Sequence, residues 1–408
     1  MLQCQVIDNP AFINAQLDFT FNILQQNGLN SSTIFSPISL TFALAMIYFG
    51  AKENSAKQIR NVFGKDLDEN EIHCHFSSIL SHSKSKNVVV KYSNRTIENQ
   101  PFKDKNGILR LDLYIPQPQM FYLDFVNRIY ARNGFKPLEK YVNGIRSYYN
   151  AGIKEIDFSQ ADSAAFKINK FVADFTNNKI QDIVDPSSID DKTKMILINA
   201  IYFKAYWQNQ FITSNTFESD FYSSPKTTKK VMMMSTSMMI NRFKNDEFEI
   251  AALPYEKHKA TMYIILPNER FGLQKVIKNF NTSKLIEILT NEEFLRTKKT
   301  AVKFPRFKIE SSLNVVETLE NLGITDIFSD KKVDLSGITG RKDLSISDIK
   351  HKAFIETNEE GTEAAAASGF SYIANCRYSM RIEFTVDHPF MFIIADENLN
   401  ILFAGTHF

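Results

Sequence analysis

The sequence predicts an α+β fold, with helices packed on large mixed β-sheets. Two segments favour this class most strongly. The helix that begins after Ser36-Pro37 is apolar nearly all round, and residues 195–203 form a near-continuous apolar run, typical of a strand buried on both faces. Short strands and turns then fill residues 207–267, further strands close the chain, and no internal repeat is present.

Length and composition predict one large domain over residues 1–408. The length of 408 residues alone would suggest two or three domains, but no Gly/Ser run, Pro-rich tract or block of like charge divides the chain. Hydrophobic residues make up 44% of it, which is enough for a sizeable core, and 35 Phe predict that much of this core is aromatic.

Charge and hydropathy exclude two classes of protein. The formal net charge of +2 argues against a general nucleic-acid binder, and no run of 18 apolar residues could span a membrane. The first ten residues lack the basic start and apolar block of a signal peptide, so we expect a cytoplasmic protein, with extracellular release by an unconventional route left open.

Cysteine usage agrees with a cytoplasmic location. Cys4, Cys74 and Cys376 are too few for a disulfide framework, so we expect three reduced thiols. The run His73-Cys74-His75 raises the question of a metal or thiol site. We expect these neighbours to alternate sides on a strand, and no partner cluster accompanies them, so we predict no metal and no cofactor.

The N-terminal region predicts three helices, over residues 11–27, from 37 onward, and over about 53–63. Ser36 before Pro37 is a favourable N-cap and first-turn pair. Ser39 lies inside the apolar helix, so its hydroxyl is buried and requires a partner.

Residues 81–120 differ from the rest and predict an exposed insertion. Seven basic residues lie between positions 84 and 110 (84, 86, 91, 95, 103, 105 and 110), against only Glu98 and Asp104. A solvated loop is the simpler interpretation, and the alternative is a site for a polyanion that speeds a functional encounter.

The remaining chain alternates between strands and helices. Helices are expected over 137–149, 162–183, 273–290 and 312–322. Strands are expected over 123–130, 195–203, 231–234, 248–253, 262–266, 302–309, 345–357, 382–386, 390–395 and 401–405. Asn199 lies inside the buried strand and therefore requires hydrogen-bond partners.

The stretch 359–383 is unusual. It opens with acid and glycine, continues through four alanines, and becomes a polar and aromatic segment without a steady period. Small unbranched side chains enter a tight place without a clash and adopt helix or strand at little cost. The stretch therefore has the composition of an exposed loop that can later become a strand.

Three motifs together carry a family resemblance. The first is Ser36-Pro37-Ile38-Ser39, and the second is the block 199–207, followed by Phe211, Thr216 and Phe221. The third comprises two C-terminal blocks, 351–367 and 384–394. With these motifs the chain resembles a serpin over nearly its full length apart from 81–120, and it is most similar to the intracellular clade that lacks a signal peptide. It departs from the family in ending at Phe408 without the terminal Pro, and in having Phe171 where a Trp is usual.

The resemblance implies a single-domain fold with three β-sheets, about eight to nine helices and an exposed reactive-centre loop over 359–383. A target protease would attack this loop and form an acyl-enzyme, and the N-terminal half of the cut loop would insert into the main sheet as a new strand. The hinge of that insertion would be Glu359, Glu360, Gly361, Thr362, Glu363, Ala364, Ala365, Ala366, Ala367 and Ser368. Thr362, Ala364, Ala366 and Ser368 would then face the core, because alternate residues of a strand share a face.

The position of the cut bond stays open between three candidates. The usual loop length of the family, counted from Gly361, places it after Asn375, before Cys376. Arg377 would suit a trypsin-like protease and Tyr378 a chymotrypsin-like one, whereas Asn375 would suit an asparagine-specific cysteine protease.

The resemblance also implies two sites that control the opening of the main sheet. Ser36, Ser39, Asn199 and His351 match the family's central hydrogen-bonded cluster. Trp207, Arg306 and Glu359 match the top of the insertion site, where we expect an ion pair between Arg306 and Glu359. Any one of these residues alone could be an ordinary buried polar group with satisfied hydrogen bonds.

The expected function is therefore a suicide-substrate inhibitor of serine endopeptidases, with cysteine proteases as further targets. The chain would be no enzyme and need no catalytic residues of its own, and we expect a monomer. The alternative is a non-inhibitory member that acts as a carrier or chaperone. Neither a charged residue nor Pro stands among the four inward-facing hinge positions, which favours the inhibitor.

Overall fold

The structure is a computed structural model, and it describes residues 10–64, 67–86, 102–103, 109–110, 121–362 and 382–408. These residues contain eleven α-helices, of which nine have seven or more residues. The helices are α1 Pro10–Asn27, α2 Pro37–Tyr48, α3 Glu53–Phe63, α4 Glu69–Lys86, α5 Glu139–Tyr149, α6 Ala161–Phe175, α7 Leu273–Asn279, α8 Thr282–Thr290, α9 Glu292–Leu295, α10 Val315–Asn321 and α11 Ser336–Thr339. The expected eight to nine helices therefore correspond to the longer ones, and α9 and α11 are additional single turns.

The same residues contain seventeen strands. They are β1 Thr33–Phe35, β2 Phe102–Lys103, β3 Leu109–Arg110, β4 Phe121–Arg132, β5 Gly152–Ile156, β6 Met195–Tyr206, β7 Phe217–Ser224, β8 Thr227–Lys244, β9 Phe248–Pro254, β10 Ala260–Pro267, β11 Thr297–Pro305, β12 Phe307–Asn314, β13 Asp348–Thr357, β14 Gly361–Thr362, β15 Ile382–Thr385, β16 Phe390–Asp396 and β17 Ile401–His407.

The strands form three sheets, one of nine strands, one of six and one of two. In the nine-stranded sheet the 18-residue strand β8 pairs with β7 over its first part and with β11 over its second part. Its last residues pair with β9. This long strand thereby joins two groups of strands into one sheet. The two-stranded sheet, β2 with β3, lies within the predicted insertion 81–120.

Helix α2 forms as the sequence predicts. Ser36 lies in the extended region and its hydroxyl accepts a hydrogen bond from the main-chain N–H of Ser39, while Pro37 occupies the first turn. All twelve residues of the helix are buried, which confirms that it is central. The apolar sequence on every side of α2 is therefore explained by contacts all around it.

The six-stranded sheet has the order β12-β13-β14-β6-β4-β5. Strand β6 is its centre, and the predicted apolar run 195–203 is buried at every position. It pairs antiparallel with β4 on one side and parallel with β13 on the other. Because both faces of β6 are covered, apolar residues occur without alternation.

The pairing between β6 and β13 is incomplete. Residues Asp348–Lys352 pair with Ile196–Ala200, and beyond them the two strands diverge. The short strand β14 lies between them at the top, where Thr362 pairs with Thr357 of β13 and with Ala205 of β6. Among the described residues, no pairing joins 353–356 to 201–204.

Two predicted helices have different ends in the structure. The helix expected over 162–183 ends at Phe175, because the hydroxyl of Thr176 bonds to the Val172 carbonyl and accepts a hydrogen bond from the N–H of Ile180. The helix expected over 273–290 is two helices, α7 and α8, and the side chain of Asn281 caps the second one.

Two further boundaries also differ. The strand expected over 302–309 is broken at Arg306, whose N–H bonds to the Met232 carbonyl, and residues on either side belong to different sheets. The helix expected over 312–322 begins only at Val315, because residues up to Asn314 extend β12 and Asn314 caps the helix.

The run His73-Cys74-His75 lies on helix α4, so its predicted placement on a strand is wrong. His73 is buried and its Nδ1 contacts the hydroxyl of Tyr149, whereas His75 stacks on Phe12 with ring centroids 4.1 Å apart. No group of three potential metal ligands occurs among the described residues. Cys74 is disulfide-bonded, so the expectation of three reduced thiols is wrong.

Most of the predicted insertion lies outside the described residues, and the polyanion site proposed for it stays a prediction. Helix α4 extends to Lys86 and thus enters the range 81–120. Within the described part of the chain, no helix is both long enough and apolar enough to cross a membrane.

Candidate functional site at the opening of the main sheet

A buried hydrogen-bond cluster lies at the point where β6 and β13 begin to diverge. The main-chain N–H of Ser36 donates to Nε2 of His351 at 3.0 Å, and Nδ1 of His351 bonds to Oδ1 of Asn199 at 2.7 Å. The amide nitrogen of Asn199 donates to the Ser39 carbonyl at 2.5 Å and to Oδ1 of Asn127 at 2.6 Å. The structure thus brings together Ser36, Ser39, Asn199 and His351, the four residues that the sequence indicated. Their hydrogen bonds, with that to Asn127, link helix α2 to strands β4, β6 and β13.

The hydrogen bonds define the protonation state of His351. Its Nε2 accepts from a main-chain N–H, so the proton of a neutral ring lies on Nδ1 and is donated to Asn199. Complete burial lowers the pKa of His351 to about 3, which keeps the ring neutral at physiological pH. The cluster therefore contains no buried charge.

Two details of this cluster differ from the sequence-based expectation. Asn127 on β4 was missed, because a single polar residue in an alternating strand gives no signal of its own. Ser39 takes part through its main-chain groups, while its hydroxyl has no partner among the described residues.

The top of the sheet is organised by a tight turn over residues 358–361. Oδ1 of Asn358 accepts from the N–H groups of Glu360 and Gly361 at 3.0 and 3.2 Å, a side-chain turn typical of Asn. The indole Nε1–H of Trp207 donates to the Asn358 carbonyl at 2.9 Å, and the Trp207 N–H donates to the Glu360 carbonyl at 2.8 Å. Sequence analysis did not single out Asn358.

Glu359 forms the expected ion pair with Arg306. Nε and Nη2 of Arg306 donate to Oε1 of Glu359 at 2.9 and 2.5 Å, and the hydroxyl of Thr216 donates to the same oxygen. Burial alone would raise the pKa of Glu359, but these hydrogen bonds outweigh it and the pKa is lowered below its ordinary value. The buried carboxylate is thus ionised and fixes the turn to the end of β11.

The two residues of β14 make close contacts with Tyr255 and with β6. The hydroxyls of Thr362 and Tyr255 are hydrogen-bonded at 2.7 Å, and the Tyr255 ring stacks on Trp207 with centroids 4.5 Å apart. A Cβ atom added to Gly361 would lie 2.0 Å from the Ala205 carbonyl oxygen, so only glycine fits at this position. Tyr255 is a second contributor that sequence analysis missed.

The rest of the predicted loop lies outside the described residues. This applies to the hinge from Glu363 to Ser368 and to the candidate cleavage positions Asn375, Cys376, Arg377 and Tyr378. Strand β15 resumes at Ile382, paired in parallel with β11. The described part of the hinge is therefore Glu359 to Thr362.

Comparison with known proteins decides the family. The model of the family described as "Serpin (serine protease inhibitor)" matches residues 14–408. The chain belongs to the serpin family. Mouse (Mus musculus) leukocyte elastase inhibitor A is 35% identical over 94% of this chain and 95% of its own length. Human (Homo sapiens) Serpin B3 is 32% identical over 96% of this chain and 97% of its own length.

A solved serpin structure confirms the fold. Serpin48 from the insect Tenebrio molitor superposes with a TM-score of 0.79 at 30% identity, covering 99% of each chain. The serpin fold predicted from the motifs is thus confirmed. The family description also agrees with the expectation that this serpin is no enzyme.

The first prediction concerns the ion pair at the top of the sheet. Replacing Glu359 with Lys removes the acceptor of Arg306 and Thr216 and places like charges together at a buried site, which we expect to loosen the turn before β14. Native gels after mild heating should then show more polymer for Glu359→Lys than for wild type. Glu292→Lys, which breaks a fully exposed Arg–Glu pair, is the matched control. Equal polymer in all three proteins would contradict the prediction.

The second prediction concerns pH. Between the ordinary histidine pKa of 6.5 and its native value of about 3, the unfolded state binds a proton at His351 that the native state does not. Stability should therefore fall as pH drops below 6.5, by at most about 1.4 kcal/mol per pH unit from this residue. Thermal unfolding of His351→Gln at pH 7.5 and 5.0 should show a smaller acid-induced fall in Tm than wild type.

Other buried histidines also contribute to the fall in Tm at low pH. Burial also lowers the pKa of His73 and His407 to about 4, so a residual pH dependence should persist in the variant. The same substitution at the exposed His258 is the control and should leave the fall in Tm at its wild-type size. An unchanged fall in Tm in His351→Gln would contradict the assigned protonation state.

Proposed function

We propose that this serpin inhibits serine endopeptidases as a suicide substrate, by inserting its cut loop into the six-stranded sheet. The observation that carries the proposal is the position of β14. It already lies between β6 and β13, and it runs antiparallel to both. A strand that continued β14 beyond Thr362 in the same direction would therefore lie between the two strands.

Extending the register of β14 fits the gap residue by residue. Thr362 pairs with Ala205 and Thr357, so continuing the same pairing would place residues 363–366 between 204–201 of β6 and 356–353 of β13. These are the stretches of β6 and β13 that no strand pairing joins in the described part of the chain. Three of the four incoming residues are alanines, which enter such a space without a steric clash.

The faces of the incoming strand also support insertion. Thr362 turns into the core beside Tyr255, so Ala364 and Ala366 would face the same way and Ala365 the opposite way. The inward positions would then carry only small side chains, and no charge would be buried there.

The chemistry belongs to the target protease. Its nucleophile attacks the carbonyl of the residue before the cut bond, the new N-terminus leaves as an amine, and an acyl-enzyme joins loop and protease. Insertion of the loop along β6, a 12-residue strand, would carry the protease roughly 40 Å from its docking position. Hydrolysis of the acyl bond competes with this movement, so the speed of insertion decides between inhibition and cleavage.

The third prediction identifies the target class. We expect incubation with trypsin, chymotrypsin, elastase, a cathepsin or legumain to give an SDS-stable complex with at least one of them. The mouse relative is named as an inhibitor of leukocyte elastase, which makes elastase one arm of the test. Mass spectrometry of the released C-terminal peptide distinguishes cleavage after Asn375, Arg377 or Tyr378. Cleavage by every protease without any stable complex would favour the non-inhibitory alternative.

The fourth prediction tests insertion itself. Ala364 is the next residue after Thr362 that would face the core in the inserted strand, so Ala364→Arg would force a charge into the core when the strand inserts. We expect this variant to be cut at the same bond and at a similar rate as wild type, but without stable complex. Ala364→Ser keeps a small side chain and should retain complex formation. Complex yields that match wild type in Ala364→Arg would argue against insertion.

A further inference from the structure

The first part of strand β4 has an open edge. On one side, residues 121–131 of β4 pair with β6. On the other side, β5 pairs only with residues 128–132, and in the described part of the chain no strand pairs with residues 121–127 on that side. Main-chain N–H and C=O groups along such an edge are a template for another strand, and proteins usually cover or block them.

The side chains on one face of this edge leave apolar surface uncovered. Phe121, Leu123 and Phe125 face the main core. The Phe121 ring lies against Phe203 with centroids 5.6 Å apart, and the Phe125 ring lies against Phe42 with centroids 5.0 Å apart. Leu123 is buried, but Phe121 and Phe125 are only half-buried. One further strand with apolar residues on this face would cover both rings.

The segment just before β4 has the sequence pattern of such a strand. Leu111, Leu113 and Ile115 alternate with polar neighbours. Alternation of this kind predicts a strand with one apolar and one polar face. Residues 116–120, Pro-Gln-Pro-Gln-Met, join this segment to Phe121, and five residues are a common length for a hairpin loop.

The length of this loop agrees with the apolar pattern. In an antiparallel hairpin with a five-residue loop, the three apolar residues would lie opposite Phe121, Leu123 and Phe125. Directly opposite residues share a face of the sheet, so all three would face the main core. A loop that is one residue shorter or longer would turn the same residues to the other face.

The insertion contains β-structure directly before this segment. Strand β3, Leu109–Arg110, pairs antiparallel with β2, Phe102–Lys103. A strand over residues 111–115 would continue β3 without a break. Very short strands and lysine at an edge, as in β2, are common means by which proteins prevent further strand pairing.

A second copy of the chain is the other occupant that an open edge attracts. Residues 111–115 have the advantage that a loop of five residues ties them to β4. A short flexible linker gives a tethered segment an effective concentration of about a millimolar or more. The tether therefore favours the chain's own segment over a second copy.

We propose that residues 111–115 of the insertion dock on the open edge of β4 as an additional antiparallel strand, and that they thereby keep a second copy of the chain from pairing there. Residues 111–115 themselves lie outside the described part of the chain. The insertion then has a structural role of its own, which does not depend on the inhibition of a protease.

The fifth prediction concerns hydrogen exchange of the β4 amides. Alternate N–H groups of a strand point to opposite neighbours, so half of those in residues 121–125 point to β6 and half to the open edge. In wild type we expect both halves to be protected from exchange. Leu113→Lys would place a charge on the apolar face of the added strand, so amides that point to the edge should exchange about tenfold faster or more. Residue-resolved exchange, by NMR or by mass spectrometry with electron-transfer fragmentation, reads the two halves separately.

Tyr114→Lys is the matched control. It introduces the same charge one residue further along, where the side chain would face away from the main core in the same register. This control should keep the wild-type exchange of β4, and Leu111→Lys should repeat the effect of Leu113→Lys. Equal acceleration in Leu113→Lys and Tyr114→Lys, or acceleration in neither, would overturn the proposal.

Self-association gives a second readout. Size-exclusion chromatography with light scattering should show a wild-type monomer at low and high protein concentration. Leu113→Lys should show a dimer fraction that grows with concentration, because its β4 edge is free. If Leu113→Lys loses edge protection but stays monomeric, docking is supported and the role against pairing is refuted.

Two outcomes in wild type identify another state of the edge. Edge amides that become protected only as the protein concentration rises would place a second copy on β4, and the proposal would fail. Edge amides that exchange at the rate of an unstructured peptide at every concentration would show an empty edge, which also overturns it. Neither measurement needs a protease, so its result is independent of the proposed function.

Discussion

The structure depends on one incomplete piece of strand pairing. β6 and β13 bond to each other up to Lys352 and Ala200, and in the described part of the chain no strand pairing joins residues 353–356 to residues 201–204. Main-chain groups are obligatory hydrogen-bonding groups, and each satisfied bond contributes about 0.5–1.5 kcal/mol net. An added strand would bond on both of its sides, so the sheet has a lower free-energy state available than the one it occupies. The turn at Asn358 and the glycine at position 361 place β14 at the top of this gap. There β14 runs antiparallel to both β6 and β13.

The His351 cluster adds an energetic cost to any further separation of β6 and β13. It lies one residue pair below the point of divergence, and opening further would separate His351 from Asn199. Leaving a buried donor or acceptor without its partner costs about 1–3 kcal/mol, more than one new strand bond returns. Because His351 is neutral, the cost arises from directional hydrogen bonds rather than from charge, and it does not depend on salt. The cluster thus stabilises the arrangement in which β6 and β13 stay paired up to Lys352 and Ala200.

The sequence predicted correctly those features of this site that depend on local residue patterns. Pro37 after Ser36 starts a helix, and a polar Asn199 in an apolar strand requires hydrogen-bond partners. It missed Asn127, Tyr255 and Asn358, because their roles arise from cross-strand register and from a ring stacked on Trp207, which no local pattern encodes.

The predicted boundaries of some helices and strands were wrong for a similar reason. The helix predicted to continue to residue 183 stops where Thr176 bonds its hydroxyl to the helix end, and the strand predicted through Arg306 divides because its two halves join different sheets. Periodicity predicts which residues are apolar on one face, but it does not reveal which sheet receives them. The fold class and the order of most elements could therefore be predicted, and the contacts across the gap could not.

The two faces of β13 are held by different chemistry. The odd-numbered His351 faces the core and is fixed by hydrogen bonds to α2 and β6. The even-numbered Phe354 and Glu356 face residues 176–194, which connect α6 to β6, and they are held by packing, by a cation–π contact with Lys179 and by an ion pair that solvent screens. Leaving a buried hydrogen-bonding group on the core face without its partner costs about 1–3 kcal/mol, whereas loss of a screened ion pair costs at most about 1 kcal/mol. The hydrogen bonds of His351 therefore contribute more to holding β13 against β6 than the ion pair on its opposite face.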